Sequence, residues 1–99
     1  MNKEKLAGLA RKILEEKLGC DDAVSVYVCL IDHKITYKCR RFSSGRISDV
    51  EIWLPVYLQQ APQDVAEDII SCLAVRIKSG KKIRYRQDTL QWVADNRSE

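Results

Sequence analysis

Near the start of the chain apolar residues recur three and four apart. Leu6, Leu9, Ala10, Ile13, Leu14 and Leu18 share one face, while Lys5, Arg11, Lys12, Glu15 and Glu16 lie on the others. That period predicts an amphipathic helix from about Lys3 to Leu18, with Gly19 placed for a left-handed cap. Asp21 and Asp22 then make a short polar break. The period next changes to two: Val24, Val26, Val28 and Leu30 alternate with Ser25, Tyr27, Cys29 and Ile31, as in a strand with one buried face. Asp32-His33 reads as a tight turn. Ile35, Tyr37 and Cys39 continue the apolar set against Thr36, Lys38 and Arg40. This predicts a β-hairpin in which Leu30 faces Ile35, Val28 faces Tyr37 and Val26 faces Cys39.

After a loop at Ser43-Ser44-Gly45, a third strand is predicted where Val50, Ile52 and Leu54 alternate with Asp49, Glu51 and Trp53, ending at Pro55. Val56-Tyr57-Leu58 reads as a helical turn, and Ala61-Pro62 opens a second helix, since proline is tolerated in a first turn. Asp64, Glu67 and Asp68 suit the dipole at that end. Val65, Ala66, Ile69, Ile70, Cys72, Leu73, Ala74 and Ile77 cover more than half of this helix, so it is the buried central one. Lys78-Ser79-Gly80 closes it. Lys81 to Arg86 is a basic, extended connection, and Asp88 caps a short last helix carrying Leu90, Trp92 and Val93. The expected fold is α+β: an N-terminal helix, a three-stranded antiparallel-type sheet, a central buried helix and a short C-terminal helix.

With 99 residues there is room for one domain, residues 1–99, with one core. Hydrophobic residues are 45% and charged residues 31% of the chain, which suits a folded protein and not a disordered one. No apolar run resembles a signal peptide or a membrane span, so a cytoplasmic protein is expected. Cys20, Cys29, Cys39 and Cys72 are then expected to be reduced thiols. None are spaced Cys-x-x-Cys and His33 is the single histidine, so no metal or other cofactor is expected. Nucleophilic catalysis finds little support either, because there is no glycine-flanked serine, and Cys29 and Cys39 read as packing. The four glycines are isolated and form no phosphate loop. An enzyme is not expected.

Two surfaces invite a binding role. Trp53 alternates onto the face opposite Ile52 and Leu54, beside Tyr27, Cys29 and Ile31. Either the first or last helix covers that face, or Tyr27, Ile31 and Trp53 form a surface for a partner or for self-association. The cations are also unevenly spread. Lys34, Lys38, Arg40, Arg41 and Arg46 come with no acid between them, and Arg76, Lys78, Lys81, Lys82, Arg84 and Arg86 form a second block. Interleaved with Tyr37, Phe42 and Tyr85, they are the residue types of a polyanion groove, with Lys38, Arg40, Arg41, Arg46, Lys81, Lys82, Arg84 and Arg86 as candidate contacts. Alternatively Lys38 and Arg40 solubilise the outer strand face while Tyr37 and Phe42 belong to the core. The net charge of +3 is small for a dedicated nucleic-acid binder. Arg84 and Arg86 alternate with Ile83 and Tyr85, and are expected to face solvent.

Ile52-Trp53-Leu54-Pro55-Val56-Tyr57-Leu58, then Ala61-Pro62-Gln63-Asp64-Val65, then an apolar helix, resembles the core of small zincin metallopeptidases of the SprT-like and YgjP-like type. The pattern spans about Ile47 to Val93. In that family an edge strand leads through a leucine-proline and ala-pro connection into an active-site helix carrying His-Glu-x-x-His. A basic segment and an aromatic-bearing helix follow, as Lys81-Lys82 and Leu90-Gln91-Trp92-Val93 do here. With Leu73-Ala74 in the middle of the motif, Ser71 stands where the first histidine belongs, Cys72 at the glutamate and Val75 at the second histidine. Metal chemistry needs two imidazoles one helical turn apart and a carboxylate beside them. The resemblance therefore implies a metal-free relative that kept the scaffold and lost the reaction, acting through its apolar sheet surface or the groove beside the central helix.

Overall fold

The computed structural model describes residues 1–18, 25–31 and 35–96. The Gly19 cap, the break at Asp21 and Asp22, Cys20, Val24, the Asp32-His33 turn, Lys34 and the side chain of Val26 lie outside the described residues. Val26 and Cys39 do not face each other as expected, since each pairs with Val50. The order is α1 (Lys3–Leu18), β1 (Ser25–Ile31), β2 (Thr36–Arg41), β3 (Ile47–Pro55), a 3₁₀ turn (Val56–Gln60), α2 (Gln63–Ser79) and α3 (Gln87–Asn96). This is an α+β fold in the expected sequence of helix, sheet, central helix and last helix. Among the described residues no helix is long and apolar enough to cross a membrane.

The helices form as their patterns require. Asn2 Oδ1 accepts the Lys5 N–H at 2.8 Å and so satisfies one orphan donor of the first turn of α1. α1 buries Leu6, Ala10, Ile13 and Leu14. α2 begins after Pro62 and ends at Gly80, whose φ of +74° is the left-handed cap conformation that a side chain would strain; its N–H reaches the Arg76 carbonyl at 2.8 Å. Between them α2 buries Val65, Ala66, Ile69, Ile70, Leu73, Ala74 and Ile77, making it the central helix. α3 starts at Gln87, so Asp88 lies inside its first turn and is not the residue before it.

The sheet departs from the expected pairing. Its order is β1-β3-β2, with β3 parallel to β1 and antiparallel to β2, so it is mixed. Leu30 stands opposite Leu54 and Val28 opposite Ile52; Tyr37 also pairs with Ile52 but from the other side. The predicted β1–β2 hairpin is therefore absent. The hairpin that does form joins β2 to β3 around Ser43-Ser44-Gly45, where the Gly45 N–H bonds the Phe42 carbonyl at 2.9 Å and the Phe42 N–H bonds the Arg46 carbonyl at 2.8 Å. Gly45 takes φ +91°, and a three-residue turn closed by a left-handed glycine matches the twist of the strands it joins. An irregularity in register follows between Arg40 and Arg41.

The strand that feeds α2 is thus the middle strand and not an edge. A central strand has both its hydrogen-bonding edges occupied, and β3 is the strand whose inner residues are most apolar and most buried. Val50, Ile52 and Leu54 are all fully buried, while Val28, Leu30, Tyr37 and Cys39 on the flanking strands are only partly so. All three helices pack on this inner face. α1 lies against β1 and α2, α2 shares one core with Val50, Ile52 and Leu54 of β3, and α3 packs on α2, with Trp92 and Val93 partly buried against that core. Trp92 meets Tyr57 of the 3₁₀ turn with ring centroids 5.8 Å apart.

Candidate functional site

The face of the sheet away from the helices carries Tyr27, Cys29 and Ile31 from β1, Asp49, Glu51 and Trp53 from β3, and Thr36, Lys38 and Arg40 from β2. Strand alternation puts them there: each is the neighbour of a residue packed inward. Pairing sets their rows. Cys29 and Thr36 flank Trp53, Tyr27 and Lys38 flank Glu51, and Arg40 stands beside Asp49. Neither terminal helix covers this face, because both are spent on the other side. The predicted partner residues Tyr27, Ile31 and Trp53 are therefore brought onto one surface, apolar toward β1 and charged toward β2. Tyr27 is 54% exposed, Cys29 is exposed, and Trp53 and Ile31 are half-buried.

The cations do not form one surface. Lys38 and Arg40 lie on this open face. Arg41 turns to the end of α2, donating to the Gly45 carbonyl at 3.0 Å and the Ile77 carbonyl at 3.4 Å. Arg46 sits at the foot of the β2–β3 turn beside Phe42, which is 54% exposed and not core. Lys81, Lys82 and Arg84 are exposed along a connection that has neither helix nor strand.

Arg86 is exposed, as its alternation with Tyr85 led one to expect, but its charge is paired. Its guanidinium lies 3.5 Å from Asp64, 3.4 Å from Asp88 and 3.9 Å from Asp68, and its backbone N–H donates to Asp68 Oδ2 at 3.0 Å. Asp64 and Asp68 are one turn apart on α2 and Asp88 opens α3. Arg86 therefore clamps two helices together, and its charge is used inside the molecule.

A second concave region lies on the inner side, where α2 and the connection after it border β2. It is a groove of about 320 Å³. Cys72, Leu73 and Arg76 of α2 line it, facing Ile35, the stretch from Lys82 to Tyr85, and Leu90. Arg76 lies over the Tyr37 ring, 5.5 Å from its centroid. Cys72 Sγ approaches Asp68 Oδ1 at 3.9 Å. Burial first, then the Asp68 charge and hydrogen bond, push the Cys72 thiol above its ordinary range. A nucleophilic or metal-binding cysteine needs the opposite shift. Burial likewise raises Tyr85, which lines the same groove.

The positions of the absent zincin motif are divided by this arrangement. Cys72 points into the groove, whereas Ser71 lies on the α1 side among Leu9, Ile13 and Glu67. The groove-facing pair one helical turn apart is Cys72 and Arg76. Among the described residues no group of three His, Cys, Asp or Glu side chains is placed to hold a metal ion. The sequence pointed to a groove beside the central helix but not to the residues that line it. Cys72 and Arg76, four residues apart on α2, were the signal for that lining. No protein-family model, curated protein or solved structure matches the chain.

Proposed function

We propose that this is a non-catalytic, metal-free assembly domain that pairs with a second copy of itself through the helix-free face of its sheet. The observation that carries the reading is Trp53 on that face, with Tyr27, Cys29 and Ile31 beside it and no element of the described chain above it. Burying such side chains against another surface is favourable, and aromatic residues are the usual anchors of an interface. The same rows carry both signs, Glu51 beside Lys38 and Asp49 beside Arg40. A face with acids on one strand and bases on the next is complementary to its own two-fold copy.

The passage of β3 through Pro55 and Ala61-Pro62 into the central helix supports the zincin-like part of the reading, whereas the middle place of β3 departs from the edge strand of that family. In that scaffold the motif positions here hold Ser71, Cys72 and Val75, which cannot do the family's hydrolysis. The alternative, a small basic nucleic-acid-binding protein, has fewer free cations to work with than the sequence suggests, since Arg86 is neutralised by three carboxylates.

Cys29 is a built-in reporter, because it stands beside Trp53 and is exposed. Sedimentation velocity of the whole chain over a concentration series should show a monomer–dimer equilibrium. Alkylation of Cys29 should slow as the dimer forms. Trp53→Ala should raise the dissociation constant by roughly tenfold or more with the fold intact. A chain that stays monomeric at every concentration, or a dimer indifferent to Trp53→Ala, refutes the proposal. Steeply salt-dependent binding of RNA or DNA by that monomer would favour the alternative.

A further inference from the structure

The groove between α2 and the Lys82–Tyr85 stretch lies on the opposite side of the sheet from the proposed dimer face, and nothing said about it depends on that face. Three cations border it: Arg76, Lys82 and Arg84. No carboxylate is among its lining residues, and among the described residues none pairs with any of the three. Arg86, two residues further on, shows what this chain does with a cation it keeps for itself: it surrounds it with aspartates. Arg76 is instead held in place by a ring. Stacking on Tyr37 fixes the guanidinium without neutralising it, leaving its hydrogen-bonding edge for another group.

The floor between the cations is aliphatic: Ile35, Leu73, Ile83 and Leu90. Of these Ile83 is the most open, at 47% exposed. The ring faces that base stacking needs are already used, since Arg76 covers Tyr37 and Tyr85 is mostly buried. A ligand here meets positive charge at the rim and alkyl side chains below. We infer that the groove binds an acidic peptide segment of a protein partner, one bulky apolar side chain seated on Leu73 and Leu90 and flanking carboxylates meeting Arg76, Lys82 and Arg84. The charge complementarity selects the acid, and the aliphatic floor selects the peptide over a nucleic acid strand.

Fluorescence anisotropy of a short fluorescein-labelled peptide, built of aspartates and glutamates around one central phenylalanine, tests this on the whole chain. The peptide should bind, with an affinity that falls as salt rises. Replacing its phenylalanine by glycine should weaken binding. Lys82→Glu with Arg84→Glu should weaken it by roughly tenfold or more with an unchanged melting temperature, since both residues are exposed. Arg76→Met, which keeps an unbranched apolar stem but removes the guanidinium, should have a similar effect, and Trp53→Ala should have none. The inference is overturned if the parent does not bind the peptide. It is overturned equally if binding survives the double charge reversal, or if a labelled oligothymidylate of equal charge binds more tightly than the peptide.

Discussion

Reversing the charge at Arg86 should destabilise a residue that reads, in sequence, as one more surface cation. The guanidinium is half exposed, as are Asp64 and Asp88 at 61% and 59%, whereas Asp68 is only 15% exposed. Exposed ion pairs contribute about 0.2–1 kcal/mol each, so at the middle of that range the Asp64 and Asp88 contacts together supply about 1 kcal/mol. The Asp68 contact is better shielded from solvent and adds about another 1 kcal/mol. Removing the side chain in Arg86→Ala should therefore cost about 1–2 kcal/mol. Arg86→Glu places a fourth carboxylate among three and should cost about 2–3 kcal/mol. For a domain of this size each kcal/mol shifts the melting temperature by about 4–8 °C, so the charge reversal should lower it by roughly 10–20 °C. Circular dichroism melts of the two variants beside Arg84→Glu provide the assay. The Arg84 variant should melt with the parent, and the Arg86→Glu penalty should shrink in molar salt, where screening acts over only about 3 Å. If Arg86→Glu melts within about 2 °C of the parent, the clamp between α2 and α3 contributes nothing, and the argument fails.

Thr89 is fully buried, and its hydroxyl has no hydrogen-bond partner. The isosteric Thr89→Val should therefore raise stability by about 1 kcal/mol, and a fall in melting temperature would show that the hydroxyl is satisfied after all. Cys72 should alkylate more slowly than the exposed Cys29. Because burial and Asp68 raise its pKa, its thiolate forms only at higher pH than an ordinary thiol, and its labelling rate should still be climbing where that of an ordinary thiol has levelled off. Mass spectrometry of partially alkylated protein over a pH series decides it, and equal rates at all pH values would contradict the burial of that thiol.

The periods of three-and-a-half and two determined which side of every element faces inward, because that choice is made residue by residue from the cost of leaving apolar side chains in water. Leu6, Ala10 and Leu14, Val50, Ile52 and Leu54, and Ile69, Ile70 and Leu73 are buried as their spacing requires. Gly80 and Pro62 likewise marked the ends of α2, since helix termini depend on a few adjacent residues. Which strands are neighbours was not in that pattern: the inward set is the same for β1-β2-β3 as for β1-β3-β2. The choice fell to the tertiary packing, which gave the middle place to the strand with the most completely buried inner face. One local clue to it existed in Gly45, whose positive φ makes Ser43-Ser44-Gly45 a better hairpin turn than Asp32-His33. The candidate sites divide in the same way. Alternation alone put Tyr27, Ile31 and Trp53 on one face, but only the placement of all three helices on the other left that face open. Composition gave the cations, yet Arg86 met aspartates of both helices only because α3 packs on α2, and Arg76 met the Tyr37 ring only because α2 packs near β2. Periodicity is a local property of the chain and neighbourhood is not, so the faces could be read in advance and the partners could not.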